Sequence, residues 1–270
     1  MDYIFDTHAH YDDEKFDPDR AEVLASLQEN GIRKAVDVGA GIPSSKRAQS
    51  LAAAYDFLYC ALGVHPTEVG DLNDETRAWL RTQAAGDPKC VAIGEIGLDY
   101  YWEDTPHEDQ KREFLWQMDL ARELGKPIII HSREAARDTY DLMKEARAGE
   151  IGGVLHCYSY TREMAREFLE MDFYFGIGGV ITFKNSVKLK EAAQYIPLDR
   201  IVLETDCPYL APVPFRGKRN SSLYLPYVVE TLAQVRGISE EEVLRATWEN
   251  AHRLYRLPDP LCNEDGFMLK

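Results

Sequence analysis

Eight short runs rich in β-branched and apolar residues recur along the chain, and the stretches between them carry helical periodicity. The runs cover 3–10, 34–40, 58–65, 90–99, 127–133, 153–158, 173–179 and 201–209. Among the helical stretches, 21–30 is preceded by Asp17-Pro18 and followed by Gly31, and 108–124 is closed by Gly125. Two more run over 134–146 and 161–171. Strands that are apolar throughout are buried on both faces, which calls for a parallel sheet covered by helices. Eight such units in 270 residues predict a closed (β/α)8 barrel, an α/β TIM barrel. No repeat, low-complexity tract or long linker interrupts the chain, so a single domain over 1–270 is expected, with 257–270 as a loosely held tail. The alternative, a doubly wound open sheet, calls for a Gly-rich turn after its first strand. Asp6-Thr7-His8-Ala9-His10 is nothing like one.

In such a barrel the C-terminal strand ends converge on one mouth, where catalytic side chains collect. That mouth would receive His8 and His10 from the first strand, His65 from the third and Glu95 from the fourth. It would also receive His131 from the fifth, His156 from the sixth, and Glu204 and Asp206 from the eighth. Side chains alternate across a strand, so imidazoles at i and i+2 point to one side and can grip one cation. Taken singly, each histidine reads more readily as a satisfied strand-end residue. Five of the seven histidines at strand ends, with only His107 and His252 elsewhere, is a pattern that chance placement does not explain. Carboxylates mixed with imidazoles suit Zn²⁺, Mn²⁺, Fe²⁺, Co²⁺ or Mg²⁺. A bridging carboxylate could hold two ions about 3.5 to 4 Å apart.

Five ordered segments carry a family resemblance: Asp6-Thr7-His8-Ala9-His10, 94–100 (GEIGLDY), His131-Ser132-Arg133, 156–159 (HCYS) and 204–210 (ETDCPYL). Together they resemble the successive motifs of TatD-type metal-dependent hydrolases, members of the amidohydrolase superfamily. The resemblance extends to 250–254 and so covers essentially the whole chain. It implies two divalent ions, Mg, Mn or Zn: one held by His8, His10, Glu95 and Asp206, the other by Glu95, His131 and His156, with Glu95 as the bridge. It also implies a deoxyribonuclease with 3′ to 5′ exonuclease character. Metal barrels host amidases, lactonases and phosphotriesterases too, so an acyl hydrolase (a deacylase or lactonase) remains the alternative, and a metal-held binding scaffold a weaker one. For hydrolysis by a metal-activated water, Asp206 is the expected proton acceptor. His65 is expected to hydrogen-bond the phosphate or leaving oxygen, and Glu204, on the same strand face as Asp206, to orient a ligand or water.

The loop 211–220 puts Arg216, Lys218, Arg219 and Asn220 after the eighth strand, where cations would suit phosphate oxygens. It resembles the family's Arg-Gly-Lys-Arg-Asn element, although Ser221-Ser222 stands where an acidic residue and a proline are expected. Tyr100, Tyr101 and Trp102 follow the fourth strand and would either stack on bases or pack beneath the loop. A formal net charge of −15 disfavours a protein that coats duplex DNA by counterion release. DNA ends or short single strands are the expected substrates. The five cysteines form no C-x-x-C pair and read as small buried residues in a reducing compartment. The first strand starts almost at once, no run is apolar enough to span a bilayer, and a cytoplasmic protein is expected.

Overall fold

The structure, a computed structural model, describes residues 3–258; most of the expected tail and Cys262 lie outside the described residues. Its core is one eight-stranded sheet in sequence order, every neighbouring pair parallel. The strands are β1 (Ile4–Ala9), β2 (Ile32–Val38), β3 (Leu58–Leu62), β4 (Cys90–Asp99), β5 (Ile128–Arg133), β6 (Gly153–Leu155), β7 (Tyr174–Ile177) and β8 (Ile201–Leu203). Around them run α1 (Arg20–Glu29), α2 (Ile42–Ala54), α3 (Asp74–Gly86), α4 (His107–Leu124), α5 (Ala136–Glu145), α6 (Arg162–Leu169), α7 (Val187–Tyr195) and α8 (Leu225–Arg236). The expected barrel is therefore present. A further helix, α9 (Glu240–Tyr255), follows the eighth and carries His252. It offers Trp248, Ala251, Leu254 and Tyr255 at helical spacing to an inner cluster of Phe5, Val91, Val154 and Val202, residues near the strand starts. It thus seals the end of the barrel opposite the mouth.

Several strands stop earlier than the apolar runs suggest. Beyond Leu62, Leu155, Ile177 and Leu203 the chain leaves the sheet and bends into the mouth. Cys157 (φ 46°) and Asp206 (φ 57°) are left-handed, a conformation through which a β-ladder cannot continue. Glu204 and Asp206 therefore do not share a strand face, as alternation alone had suggested. Of the cysteines, Cys60, Cys90, Cys157 and Cys207 are free, and all but Cys157 are fully buried. No helix among the described residues is long and apolar enough to cross a membrane.

Because β8 is short, the barrel closes through the segment that follows it. The His8 carbonyl accepts from Asp206 N–H at 2.9 Å, and His10 N–H donates to the Cys207 carbonyl at 2.8 Å. The buried Asp6 carboxylate reinforces this seam. Its Oδ1 accepts from the N–H groups of His8 (3.2 Å) and Thr205 (3.1 Å). Its Oδ2 accepts from the hydroxyls of Thr205 (2.7 Å) and Ser222 (2.6 Å). Ser222, half of the Ser-Ser departure, also meets the Tyr11 hydroxyl at 2.6 Å, so it ties the basic loop's end to the seam. Asp6→Ala would orphan several buried donors at once and should lower the unfolding free energy by about 3 kcal/mol, measured by urea titration. An unchanged midpoint would show that the seam holds without the carboxylate.

Candidate metal centre

His8, at the end of β1, and His10, just beyond it, direct their Nε2 atoms to within 3.1 Å of each other. Glu95 Oε2 lies 3.5 and 3.7 Å from the two nitrogens, and Asp206 Oδ1 lies 3.7 and 3.3 Å from them. A tetrahedron of ligands about 2.1 Å from its centre has edges of about 3.4 Å, so these four donor atoms are spaced to enclose one ion. His10 Nδ1 is 2.7 Å from the Val38 carbonyl, to which it donates; its Nε2 is then left with a lone pair facing the cage. Burial opposes a proton on His10, yet the Asp206 and Glu95 carboxylates outweigh it and push His10 up to about 10. The potential that favours a proton there equally favours a metal cation. His8, buried and beside His156, is pushed down to about 4.

The other oxygen of Glu95 serves a second set. Oε1 lies 2.7 Å from His131 Nδ1 and 2.8 Å from His156 Nε2, and these two nitrogens are 3.3 Å apart. His131 Nε2 is 2.9 Å from Asp99 Oδ2. With its Nε2 proton committed to Asp99, His131 must face Glu95 either with a second proton or across a cation. The donor chemistry therefore fits two ions with Glu95 between them. Burial works against charge on Glu95, but His156, His131 and His8 hold its carboxyl well below the usual range. Burial likewise opposes charge on His156, which the Glu95, Glu204 and Asp206 carboxylates raise to about 9. His65 Nε2 sits 3.8 Å from Glu95 Oε1. Its Nδ1 accepts the Thr67 N–H at 3.2 Å, so Nε2 carries the proton and points a donor at the site. Burial and His131 push His65 down to about 3, which keeps it neutral.

Asp99 is the residue that strand reading missed. It ends the fourth run four positions after Glu95, so strand parity put it on the same face; that was the available signal. Its Oδ1 also accepts the N–H groups of Tyr101 (2.9 Å) and Trp102 (3.3 Å). Glu204 lies deeper than expected. Buried behind His156, it accepts the Cys157 N–H through Oε1, leaves Oε2 without a partner, and does not line the mouth. Burial pushes it up to about 8. Gly176 on β7 makes the room: a Cβ there would meet Glu204 Oε2 at 1.9 Å. Glu204 faces the mouth only across His156, its Oε1 lying 3.8 Å from His156 Nδ1.

Above the donor atoms opens a cavity of about 1150 Å³ whose floor is His10, His65, Glu95, His131, His156 and Asp206. The basic loop does not line it. Arg219 forks Asp19 at 2.7 and 2.6 Å and covers the Phe16 ring at 4.7 Å. Asn220 is buried, donating to the Thr205 carbonyl and accepting the Ser221 N–H. Arg216 lies 4.3 Å over Phe183, and Lys218 is likewise absent from the cavity wall. For Arg219 and Asn220 the phosphate-binding expectation is therefore corrected: neighbouring backbone and carboxylate use up their polar atoms. Among the described residues, Arg47 and Arg133 are the cations in the wall. A search for a contiguous basic run overlooks isolated arginines brought together by the barrel. Tyr100 packs beneath the loop, its hydroxyl on Asp138 at 2.8 Å and its ring stacked on His107 at 3.7 Å. Tyr101 and Trp102 remain exposed, and Trp102 lines the cavity.

If Glu95 joins the two donor sets, Glu95→Ala should lose bound divalent metal from both, read as metal per chain by elemental analysis after dialysis. Full stoichiometry in the variant would refute the bridge.

Residues 5–256 match the family model described as TatD related DNase. The metal-dependent hydrolase YabD of Bacillus subtilis is 44% identical over 94% of this chain and 99% of its own length. A Cronobacter sakazakii protein named 3′-5′ ssDNA/RNA exonuclease TatD is 34% identical over 93% of this chain and 97% of its own. Among solved structures, the Escherichia coli TatD homolog YJJV superposes with a TM-score of 0.88 at 29% identity, covering 94% of this chain and 98% of that one. With the family model spanning nearly all the described residues and the metal donor set assembled at the barrel mouth, the chain belongs to the TatD family of metal-dependent hydrolases.

Proposed function

We propose that the chain hydrolyses phosphodiester bonds at the 3′ ends of single-stranded nucleic acid, DNA foremost, using two divalent ions. The observation that carries this reading is Glu95, whose two oxygens face two separate donor sets on the floor of one open cavity. Two guanidinium groups in the wall, Arg47 and Arg133, suit a phosphate ester, and the name of the Cronobacter relative supports both the substrate and the 3′ to 5′ direction. Imidazole-rich donor sets suit Zn²⁺ or Mn²⁺ better than Mg²⁺. Bound there, the ions would supply a water ionised near neutral pH and offset charge on the phosphoryl oxygens.

The chain's own groups do the rest. Asp206 touches the cage through Oδ1 and lines the cavity, and although burial opposes it, His10 holds its carboxyl below the usual range. It is thus an ionised acceptor for the proton of the attacking water. His65 presents its Nε2 proton to a phosphoryl or leaving oxygen without adding charge. Asp99 fixes the ring of His131, and Glu204 backs that of His156. Arg47 is held against the wall by Asp12, at 3.2 Å. A second reading, hydrolysis of an acyl ester, is favoured by one observation: Asp12, Asp13, Glu14 and Asp17 line the same cavity and would welcome a neutral or cationic substrate.

The test is kcat/KM for a labelled single-stranded oligonucleotide against a small neutral ester, at controlled metal. The nuclease reading predicts a strong preference for the oligonucleotide, abolished by chelation; preference for the ester would overturn it. Asp206→Asn should cut kcat by about 10²-fold or more with KM little changed. Near-normal turnover in that variant would remove Asp206 as the proton acceptor.

A further inference from the structure

The mouth of the barrel is electrostatically two-sided. Asp12, Asp13, Glu14 and Asp17, all from the loop between β1 and α1, form one lip. In a ring of eight strands in sequence order, β5 lies four strands from β1 in either direction, so its end stands across the mouth from that lip. There, at the end of β5, is Arg133. Of the two cations in the cavity wall, Arg47 is already paired with Asp12. The Arg133 guanidinium makes no hydrogen bond or ion pair among the described residues. Instead it lies 3.7 Å from the centre of the Tyr101 ring and 5.9 Å from that of Trp102. The two rings meet edge to face at 4.8 Å. Asp99 holds this aromatic turn by accepting both backbone N–H groups, so the platform is fixed to the carboxylate that also orients His131.

Stacking occupies the face of a guanidinium and leaves its N–H edge free, the arrangement suited to a bidentate grip on a phosphate. His131 and Arg133 share a face of β5, and two residues of a parallel strand advance about 6.6 Å, so the guanidinium stands farther out than the reacting position. Trp102, half exposed and in the cavity wall, offers a ring to a base, a contact indifferent to which base it is.

We propose that Arg133, backed by Tyr101 and Trp102, is the subsite for the phosphate next to the scissile one, and that a single strand leaves the mouth over β4 and β5, away from the acidic lip. This rests on the nuclease reading above and adds the strand's path and the group that recognises a second phosphate. A substrate with one phosphate gains nothing from Arg133; a strand with two or more does. The acidic lip on the far side explains how a chain with a net charge of −15 could take a strand end while refusing the flanking duplex.

The experiment compares the metal-loaded wild type with Arg133→Met on a single-stranded oligonucleotide and on thymidine 5′-p-nitrophenyl phosphate, a diester with one phosphate. For the oligonucleotide kcat/KM should fall about 30-fold, mainly through KM, the scale of a charged hydrogen-bonded contact. The salt slope should drop by about one. On the one-phosphate diester the loss should stay within about threefold, and Arg216→Met should leave both substrates unaffected. Equal losses on both would place Arg133 at the scissile phosphate or in the framework and overturn the subsite; no loss on either would overturn it as well. Binding of a phosphorothioate oligonucleotide, read as tryptophan quenching that Trp102→Phe removes, separates this from the nuclease reading. If wild type binds but never cleaves, while Arg133→Met does not bind, the subsite stands and the nuclease reading falls. Unaltered binding by Arg133→Met would overturn the subsite whatever the catalysis.

Discussion

The arrangement turns on one buried carboxylate, Glu95, facing imidazole nitrogens through both of its oxygens. Taking an ionised carboxylate out of water costs several kcal/mol unless opposite charge surrounds it. Here that charge comes from His156, His131 and His8, and the His131 ring is itself held by Asp99. Without metal, protons on His10 and His156, pushed up to about 10 and 9, offset the carboxylate charge, while His8 and His65 resist protonation. Divalent ions meet the same demand with the lone pairs already aimed. Glu95 is thus a buried charge on which the surrounding nitrogens converge.

Convergence needs rings that cannot turn. The Val38 carbonyl fixes His10, Asp99 fixes His131, and the Thr67 N–H fixes the tautomer of His65. Beside β1, on β2, the Asp37 carboxylate, fully buried and pushed well above the usual range by that burial, accepts the Tyr11 N–H at 2.6 Å and so holds the turn after His10. Asp6 does the corresponding work across the seam, joining β1 to the residues that present Asp206. Metal-site precision and barrel closure therefore draw on the same hydrogen bonds, and a change at the seam is felt at the centre.

For an acidic chain, the proposed nucleic-acid substrate would require cations that are few and well placed. The basic loop looked like that resource in sequence, yet Arg219 is engaged by Asp19 and Asn220 by the backbone. What faces the cavity is the isolated pair Arg47 and Arg133, one tethered by a carboxylate and the other laid on aromatic rings. Loop cations near a site are available to substrate only if no closer acceptor has already claimed them.

The chain's local pattern determined the fold class and which side chains could serve as metal donors. Apolar runs of strand length, helical periods between them and a potential ligand at six of the eight strand ends follow from alternation and short-range sterics, which act over a few residues. The strand ends themselves were less legible, because the left-handed turns at Cys157 and Asp206 depend on contacts with distant strands. The same holds for Asn220, Arg219 and Tyr100, whose polar groups are spent on partners far away in sequence or across a turn. It holds too for Glu204, sent behind His156 by the gap at Gly176, and for α9, whose plug is visible only once the barrel interior exists to receive it. Which residues could bind a metal was written in local spacing. Which polar groups remain free for a substrate was decided by tertiary packing, since a donor or acceptor is spent wherever a nearer partner meets it first.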